Sequence, residues 1–149
     1  MPTHIRTSMR NALFVQLSAA LPTTKIYKSR SRPIGVGSGK NVVEILVPNE
    51  QSALQGAHHE GAEYSREIDI LLVGYCARSD SEIAADDADE LALQLETAIH
   101  ADATLGGVVE QIWMTGTDFT LDASVFSNAG FAQRWRVHVN SSLATMNAA

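Results

Sequence analysis

The sequence predicts an α+β fold, in which a mostly antiparallel sheet carries two helices packed on one of its faces. Three observations lead to this prediction: two segments with apolar residues at helical spacing, several segments with the alternation of strands, and the order helix, strands, helix, strands. The 149 residues suit one domain, and no internal repeat divides them. We expect a single domain with long loops over residues 3–140, followed by a loose tail at residues 141–149.

The first element is a helix with a single apolar stripe. Its apolar residues recur at steps of three and four: Ile5, Met9, Leu13, Leu17, Ala20 and Leu21. Pro22 follows directly and favours an end of the helix there. A short strand is expected to start at residues 25–27.

A glycine-rich segment, "PIGVGSGKN" at residues 33–41, resembles a phosphate-binding loop. The spacing contradicts that interpretation, because Ile34 occupies the position of the first glycine and Asn41 the position of the hydroxyl residue. A strand pattern follows where the motif requires a helix. We therefore interpret the segment as a basic contact loop that meets an acidic surface on a neighbouring molecule. Its cations are Lys28, Arg30, Arg32 and Lys40.

Two strands are expected in the middle of the chain. Residues 41–47 are rich in β-branched side chains, and residues 64–76 alternate apolar and polar side chains. In the second of these strands Leu71 and Val73 make both faces apolar. This predicts that the C-terminal half of this strand is covered on both faces, by helices or by a neighbouring subunit.

The segment between these strands, "NEQSALQGAHHEGAE", has no sustained period and is predicted to be a long loop or an extended arm. His58 and His59 are metal-ligand types, but adjacent histidines in an irregular segment point apart. We expect a solvated contact loop there.

Residues 79–102 form the strongest helix pattern. Ser79 and Glu82 have the spacing of a capping box. The apolar stripe consists of Ala84, Ala88, Leu91, Ala92, Leu95, Ala98 and Ile99. Acidic residues in the first half, Asp86, Asp87, Asp89 and Glu90, predict a solvated face near the positive end of the helix dipole. Gly106 and Gly107 mark the exit.

Two antiparallel strands are expected last, at residues 110–118 and 131–140. In the second, apolar side chains alternate with Arg134, Arg136 and His138. These three residues are a candidate exposed sheet face, which is either solvated or in contact with an acidic partner. Trp113 and Trp135 suit the core or an interface.

Composition narrows the function further. The net charge of −6 argues against a general nucleic-acid binder, which needs clustered cations. The single cysteine, Cys76, ends an apolar run, which suits a buried and unreactive side chain. One cysteine also rules out an internal disulfide and suits a reducing compartment. No apolar run reaches the length of a membrane span, and the amphipathic N-terminal segment is not a signal peptide.

Catalytic and ligand-binding patterns are missing from the sequence. It holds no nucleophile elbow and no paired-histidine metal helix. We therefore expect no enzyme activity, no cofactor and no metal, and we look for a function in binding or assembly.

The order of the elements resembles the tail terminator, or minor tail, proteins of long-tailed bacteriophages. The similarity covers about residues 3–140. The segments on which the resemblance rests are "IRTSMRNALFVQLSAAL", "NVVEILVPNE", "YSREIDILLVGYCA", "ADELALQLETAIHADATLGG", "VVEQIWMTGTDFTLD" and "FAQRWRVHV". The most specific piece is the D-x-T-L-G-G exit of the second helix, at residues 102–107.

This resemblance implies a structural role. Proteins of that family form a ring, commonly hexameric, on the head-proximal end of the tail tube. The implied partners are further copies of the chain, the major tail tube protein and a head-completion or neck protein, with DNA passing through the lumen without specific binding. The implied location is the virion tail, after assembly in the bacterial cytoplasm. Two alternatives remain: a head-closure or tail-completion protein of the neck, and a small cytosolic ligand-binding or regulatory module.

Overall fold

The computed structural model describes residues 4–28, 41–58, 61–77, 81–122 and 128–142. In this part of the chain there are two helices, α1 (Ile5–Ala20) and α2 (Ser81–Ala101). The strands are β1 (Lys25–Tyr27), β2 (Val42–His58), β3 (Gly61–Ala77), β4 (Gln111–Asp122) and β5 (Asn128–Ser142). The predicted α+β class and the order of helices and strands are confirmed.

The strands form one sheet in the order β1-β2-β3-β5-β4. β1 runs parallel to β2, and the other neighbours are antiparallel. β3 lies at the centre, since it pairs with β2 on one side and along its whole length with β5 on the other, from Glu63↔Ser142 to Ala77↔Asn128. β1 and β4 therefore lie at opposite edges of the sheet.

Both helices pack on the same face of the sheet. The stripe predicted for α2 is buried in full, and in α1 the buried residues are Ile5, Met9, Leu13 and Leu17. Ala20 was expected in that stripe but is exposed, because α1 ends there and the chain turns so that Leu21 takes the buried position. Cys76 is buried, as predicted.

The sheet contributes alternate residues to the same core. β3 provides Ile68, Ile70, Leu72 and Cys76, and β5 provides Ala129, Phe131, Trp135, Val137 and Val139. Gly74 belongs to this face, and a Cβ there would lie 2.1 Å from the Phe131 ring. The tip of the Phe131 ring, opposite Gly74 across the strands, thus occupies the space of a side chain, and a larger residue at position 74 would displace it.

Two glutamines join the helices to the rest of the core. The buried Gln133 donates from Nε2 to the carbonyl of Ala92 on α2 at 2.9 Å, and its Oε1 accepts from the Trp135 indole at 3.2 Å. Gln16 of α1 donates to the carbonyls of Ala98 at 2.8 Å and Asp102 at 3.1 Å. Ala98 lies in the last turn of α2, whose carbonyls lack a helical partner, and Gln16 satisfies this one.

The long segment that the sequence left as a loop or an arm is a β-hairpin. β2 continues to His58 and β3 starts at Gly61, so that both strands are longer than predicted. We call residues 49–58 and 61–66 the hairpin arm. At the rise of a strand it extends roughly 30 Å, and its described residues 51–54 are exposed.

The arm begins at a bulge in β2 between Leu46 and Asn49. Pro48, which has no N–H to donate, lies in this bulge, and the carbonyl of Val47 accepts from Arg6 Nη2 of α1 at 2.6 Å. The base of the arm also holds a salt bridge of 3.1 Å between Arg66 Nη1 and Glu50 Oε2. Helix α1 is thus tied to the point where the arm leaves the core.

Candidate assembly surfaces

The sheet has one face without helices, which we call the open face. Because side chains alternate along a strand, this face carries the residues between the buried ones. Leu46, Leu71 and Val73 lie there and are half-buried. Trp113 also lies there, whereas Trp135 is buried in the core. Among the described residues, the C-terminal half of β3 is covered by helices on one face, and cover on its other face remains a prediction.

Arg134, Arg136 and His138, the residues of the candidate exposed sheet face, lie in a row on the open face of β5. Arg134 Nη1 is 3.1 Å from Asp118 Oδ2, and the Arg134 guanidinium lies over Gly116 of β4. Arg136 Nε donates to Asp69 Oδ1 at 3.0 Å. The hydrogen bond that Arg136 donates to Asp69, the charge of Asp69 and the charge of Glu67 raise the pKa of Arg136.

His138 is held in the same manner. Its Nε2 is 3.6 Å from Glu110 Oε2 and 3.4 Å from both Ser65 Oγ and Asn140 Oδ1. Asn140 in turn donates to Glu110 Oε1 at 2.9 Å. All three residues of the row have carboxylates of this chain beside them. Their binding to an acidic partner remains a prediction.

Of the predicted contact loop, the structure describes Lys28. Its Nζ donates to Asn11 Oδ1 at 3.1 Å and lies 5.5 Å from the centre of the Phe14 ring. Arg30, Arg32 and Lys40 lie outside the described residues, as does His59. His58 ends β2, and its side chain is also outside the described part.

The turn after α2 holds the motif that most specifically suggested a family. Asp102 Oδ1 accepts from Thr104 Oγ1 at 2.7 Å and from Thr104 N at 3.1 Å, and its Oδ2 accepts from Gly106 N at 2.8 Å. These bonds, led by that of the Thr104 hydroxyl, lower the pKa of Asp102. The two predicted exit glycines have positive φ angles of 72° and 86°, a backbone that glycine adopts without strain.

The described residues form no cluster of three or more histidines, cysteines or acids that could hold a metal ion. A cleft of about 460 Å³ lies between α1 and α2. Its walls are mostly apolar, with Leu21, Leu93 and Ala98 among them, and Glu90 stands at its rim. Within the described part of the chain, no helix has the length and hydropathy to span a bilayer.

Sequence reasoning did not show which strands form the two edges of the sheet. β4 carries the exposed side chains of Met114 and Phe119, and in the described part of the chain β1 pairs with β2 at Val42, Val43 and Glu44. An edge depends on which strands become neighbours, and the pattern of one strand does not contain that information. The absence of lysine and proline from residues 111–122 was the available signal.

Comparison with protein-family models and with curated proteins gives no match. Among solved structures, the chain is similar to a chain in the virion of a native gene transfer agent (GTA) particle. The identity is 13%, the TM-score is 0.40, and the alignment covers 89% of this chain and 94% of that chain. A similarity this weak assigns neither a fold family nor a function.

Proposed function

We propose that this protein is a structural tail terminator of a long-tailed bacteriophage. In this role, copies of the chain form a ring, commonly of six in the family that the sequence resembles. The ring caps the head-proximal end of the tail tube, stops its polymerisation and offers a surface to the head-completion protein. The observation that supports the proposal is the open face, where Leu46, Leu71 and Val73 are half-buried beside the paired charges of β5.

The open face suits contact with protein. Covering the three apolar side chains would remove further apolar surface from water, at about 25 cal/mol per Å². The arginines beside them already have carboxylate partners, so that a neighbour can cover them without leaving a buried charge unpaired. This combination suits the repeated contacts of an assembly.

The same charges agree with the proposed passage of DNA. Arg134 and Arg136 are each next to a carboxylate, and the whole chain has a net charge of −6. Strong phosphate binding requires clustered cations that are available to the phosphates. We therefore propose that DNA crosses the ring without specific binding, and that the protein has no catalytic role.

The test is polymerisation of purified tail tube protein with and without this chain, followed by negative-stain microscopy. We expect tubes that stop growing and carry a ring at one end. In the Val73→Lys variant, which puts a charge on the open face, we expect fewer capped tubes. Val15→Lys is the matched control, since Val15 is 65% exposed on α1.

Uncapped tubes that grow to the same length with and without the wild-type chain would contradict the proposal. Binding to finished heads in place of tubes would favour the alternative of a neck protein. Loss of capping in both valine variants would show that the open face has no special role.

A further inference from the structure

We propose that the β4 edge of the sheet binds an extended, basic segment of another protein, which adds to the sheet as a further strand beside β4. This inference goes beyond the proposed function, since neither ring formation nor capping of a tube requires it. It is carried by three observations on the described residues: an unpaired strand edge, exposed apolar side chains along this edge, and two carboxylates on the helix beside it.

β4 offers backbone groups for pairing. Beyond it lies no described strand, so the backbone groups of Gln111–Asp122 that point away from β5 have no strand partner in this part of the chain. Proteins usually protect such edges with lysine, proline, a bulge or a covering segment. Residues 111–122 contain neither lysine nor proline. A bulge follows Met114, but the residues after it, Gly116–Asp122, pair regularly with β5 and present a regular edge.

The side of β4 that faces the helices exposes apolar surface. Met114 and Phe119 lie on this side and are 38% and 53% exposed, and Thr117 lies between them. Helix α2 packs on β3 and β5, so that β4 extends past it. We call Met114, Thr117 and Phe119, together with the adjacent flank of α2, the β4 shelf. A strand added beside β4 would lie along this shelf.

The flank of α2 beside the shelf is acidic. Asp89 and Glu96 share the side of α2 that carries Ala92. The Ala92 carbonyl accepts from Gln133 Nε2 at 2.9 Å, and Gln133 pairs with Thr117 of β4. Asp89 precedes Ala92 and Glu96 follows it, each by about one helical turn. The two carboxylates therefore stand along the shelf, on either side of the level of Thr117.

The other charged groups near this edge are already engaged or differ in kind. Asp118, on the opposite face of β4, is 3.1 Å from Arg134. His100 of α2 contacts the Trp135 ring, with 5.7 Å between the ring centres. Among the described residues, Asp89 and Glu96 form no salt bridge. Their charges are thus available to a partner.

These features specify the chemistry of the partner. A strand beside β4 presents every second side chain to the shelf. Lysine or arginine at these positions would cover Met114 and Phe119 with its aliphatic stem and reach the carboxylates with its charged end. Acidic side chains would be repelled there, and so would the phosphates of a nucleic acid. The partner segment is therefore a strand with basic residues at alternate positions.

The described strands of this chain do not supply such a segment. The alternating cations of β5 lie between β3 and β4, and β1 has three residues. Basic residues also alternate at Lys28, Arg30 and Arg32, but Pro33 follows and has no N–H for pairing. Lys28 is moreover held by Asn11 at 3.1 Å. This segment is shorter than the regular edge of β4, which favours another protein as the source of the strand.

Peptide binding to the full chain tests this recognition. The probe is a blocked peptide in which lysine alternates with threonine and valine, long enough to cover Gly116–Asp122. One control peptide has glutamate in place of lysine. A second keeps the lysines but carries N-methyl groups on alternate amides, which removes the N–H groups that pair with a neighbouring strand. Fluorescence anisotropy measures affinity, and hydrogen–deuterium exchange locates the site.

Two variants of the chain test the charges. One carries Asp89→Lys with Glu96→Lys. The control carries Asp86→Lys with Glu90→Lys, the same change of charge at exposed residues of α2 outside the shelf. Circular dichroism verifies that both variants fold.

We expect the wild type to bind the lysine peptide roughly tenfold or more tightly than either control peptide. Binding should slow amide exchange within residues 111–122, and added salt should weaken it. The Asp89→Lys, Glu96→Lys variant should prefer the glutamate peptide. The control variant should keep the preference of the wild type.

Several results would overturn the inference. They are equal binding of the lysine peptide and its N-methylated form, exchange that slows only outside residues 111–122, and a control variant that loses the preference as well. Sedimentation velocity tests for a second copy as the occupant. Oligomers of the wild type that the lysine peptide disperses would show that a copy of this chain occupies the edge, and would overturn the assignment to another protein.

Discussion

Asp102 determines the shape of the turn that connects α2 to β4. Its carboxylate accepts hydrogen bonds from the Thr104 hydroxyl and from the backbone N–H groups of Thr104 and Gly106. The turn also contains Leu105, a buried non-glycine residue with a positive φ of 51°. Since leucine rarely adopts this conformation, we infer that the bonds of Asp102 and the burial of Leu105 together hold it there.

These bonds predict a pH dependence. A carboxyl whose pKa is lowered in the folded state adds stability above its ordinary pKa of 3.8, and this stability is lost as the pH falls through the folded value. We expect Asp102→Asn to melt below the wild type at neutral pH. The difference should shrink as the pH is lowered past 3.8.

Thermal unfolding followed by circular dichroism, repeated from neutral to acidic pH, measures this difference. Asp86→Asn is the control, because Asp86 is an exposed carboxylate on α2, the helix that precedes this turn. If Asp102→Asn and the wild type differ by the same amount at every pH, the charge of Asp102 does not stabilise the turn.

The sequence allowed only part of this turn to be predicted. Gly106 and Gly107 after a helical pattern indicate a helix exit, and they have the positive φ angles that such an exit requires. The role of Asp102 was not foreseen. An exposed acid at the end of a helix could equally be solvated. Whether Asp102 instead accepts hydrogen bonds from the turn depends on the backbone angles of Leu105 and Gly106.

At the scale of elements, the hairpin arm is the feature that differs most from its sequence pattern. Both strands of the arm continue beyond the helices, and residues 51–54 are exposed although they are paired across the hairpin. A strand without a buried face has no reason to alternate apolar and polar residues. Backbone pairing and side-chain contacts such as that of Arg66 with Glu50 maintain the arm, and hydrophobic periodicity therefore cannot detect it.

Shortening the arm should leave the core intact. Replacing residues 54–64 by Asn-Gly, a favourable two-residue hairpin turn, removes no described core residue. We therefore expect a melting temperature close to that of the wild type.

Thermal unfolding followed by circular dichroism measures this temperature. Leu54→Ser, a matched replacement within the arm, should likewise melt like the wild type, because Leu54 is exposed. An arm-shortened chain that fails to fold would show that the arm contributes to the stability of the core.

At the scale of the whole molecule, one cluster of buried side chains joins both helices to β2, β3, β4 and β5. A single core of this kind predicts one cooperative unfolding transition, and thus a single domain. At protein concentrations where the chain is monomeric, tryptophan fluorescence and far-ultraviolet circular dichroism should give the same midpoint in urea. Two separate midpoints would show that part of the chain unfolds by itself.

The fold class could be predicted because each helix and the core strands carry their own periodic pattern. The α2 stripe and the alternation around Ile68, Ile70 and Leu72 are such patterns, and the structure buries all of these residues. The candidate surfaces could not be predicted to the same extent. Pairing of Arg134 with Asp118 and of Arg136 with Asp69 depends on strand register, which links residues far apart in the chain.

The bulge in β4 has a consequence for how this strand tolerates changes in length. Up to Met114 the even-numbered side chains face the helices, whereas after the bulge Phe119 lies on that side, against Phe131, and Asp118 lies on the other, with Arg134. Thr115 is the extra residue of this bulge, because Met114 pairs with Trp135 and Gly116 pairs with the next residue, Arg134. Deleting Thr115 would restore regular pairing and leave Asp118 and Phe119 on their present sides. Related chains are therefore expected to carry this segment either with the extra residue or one residue shorter.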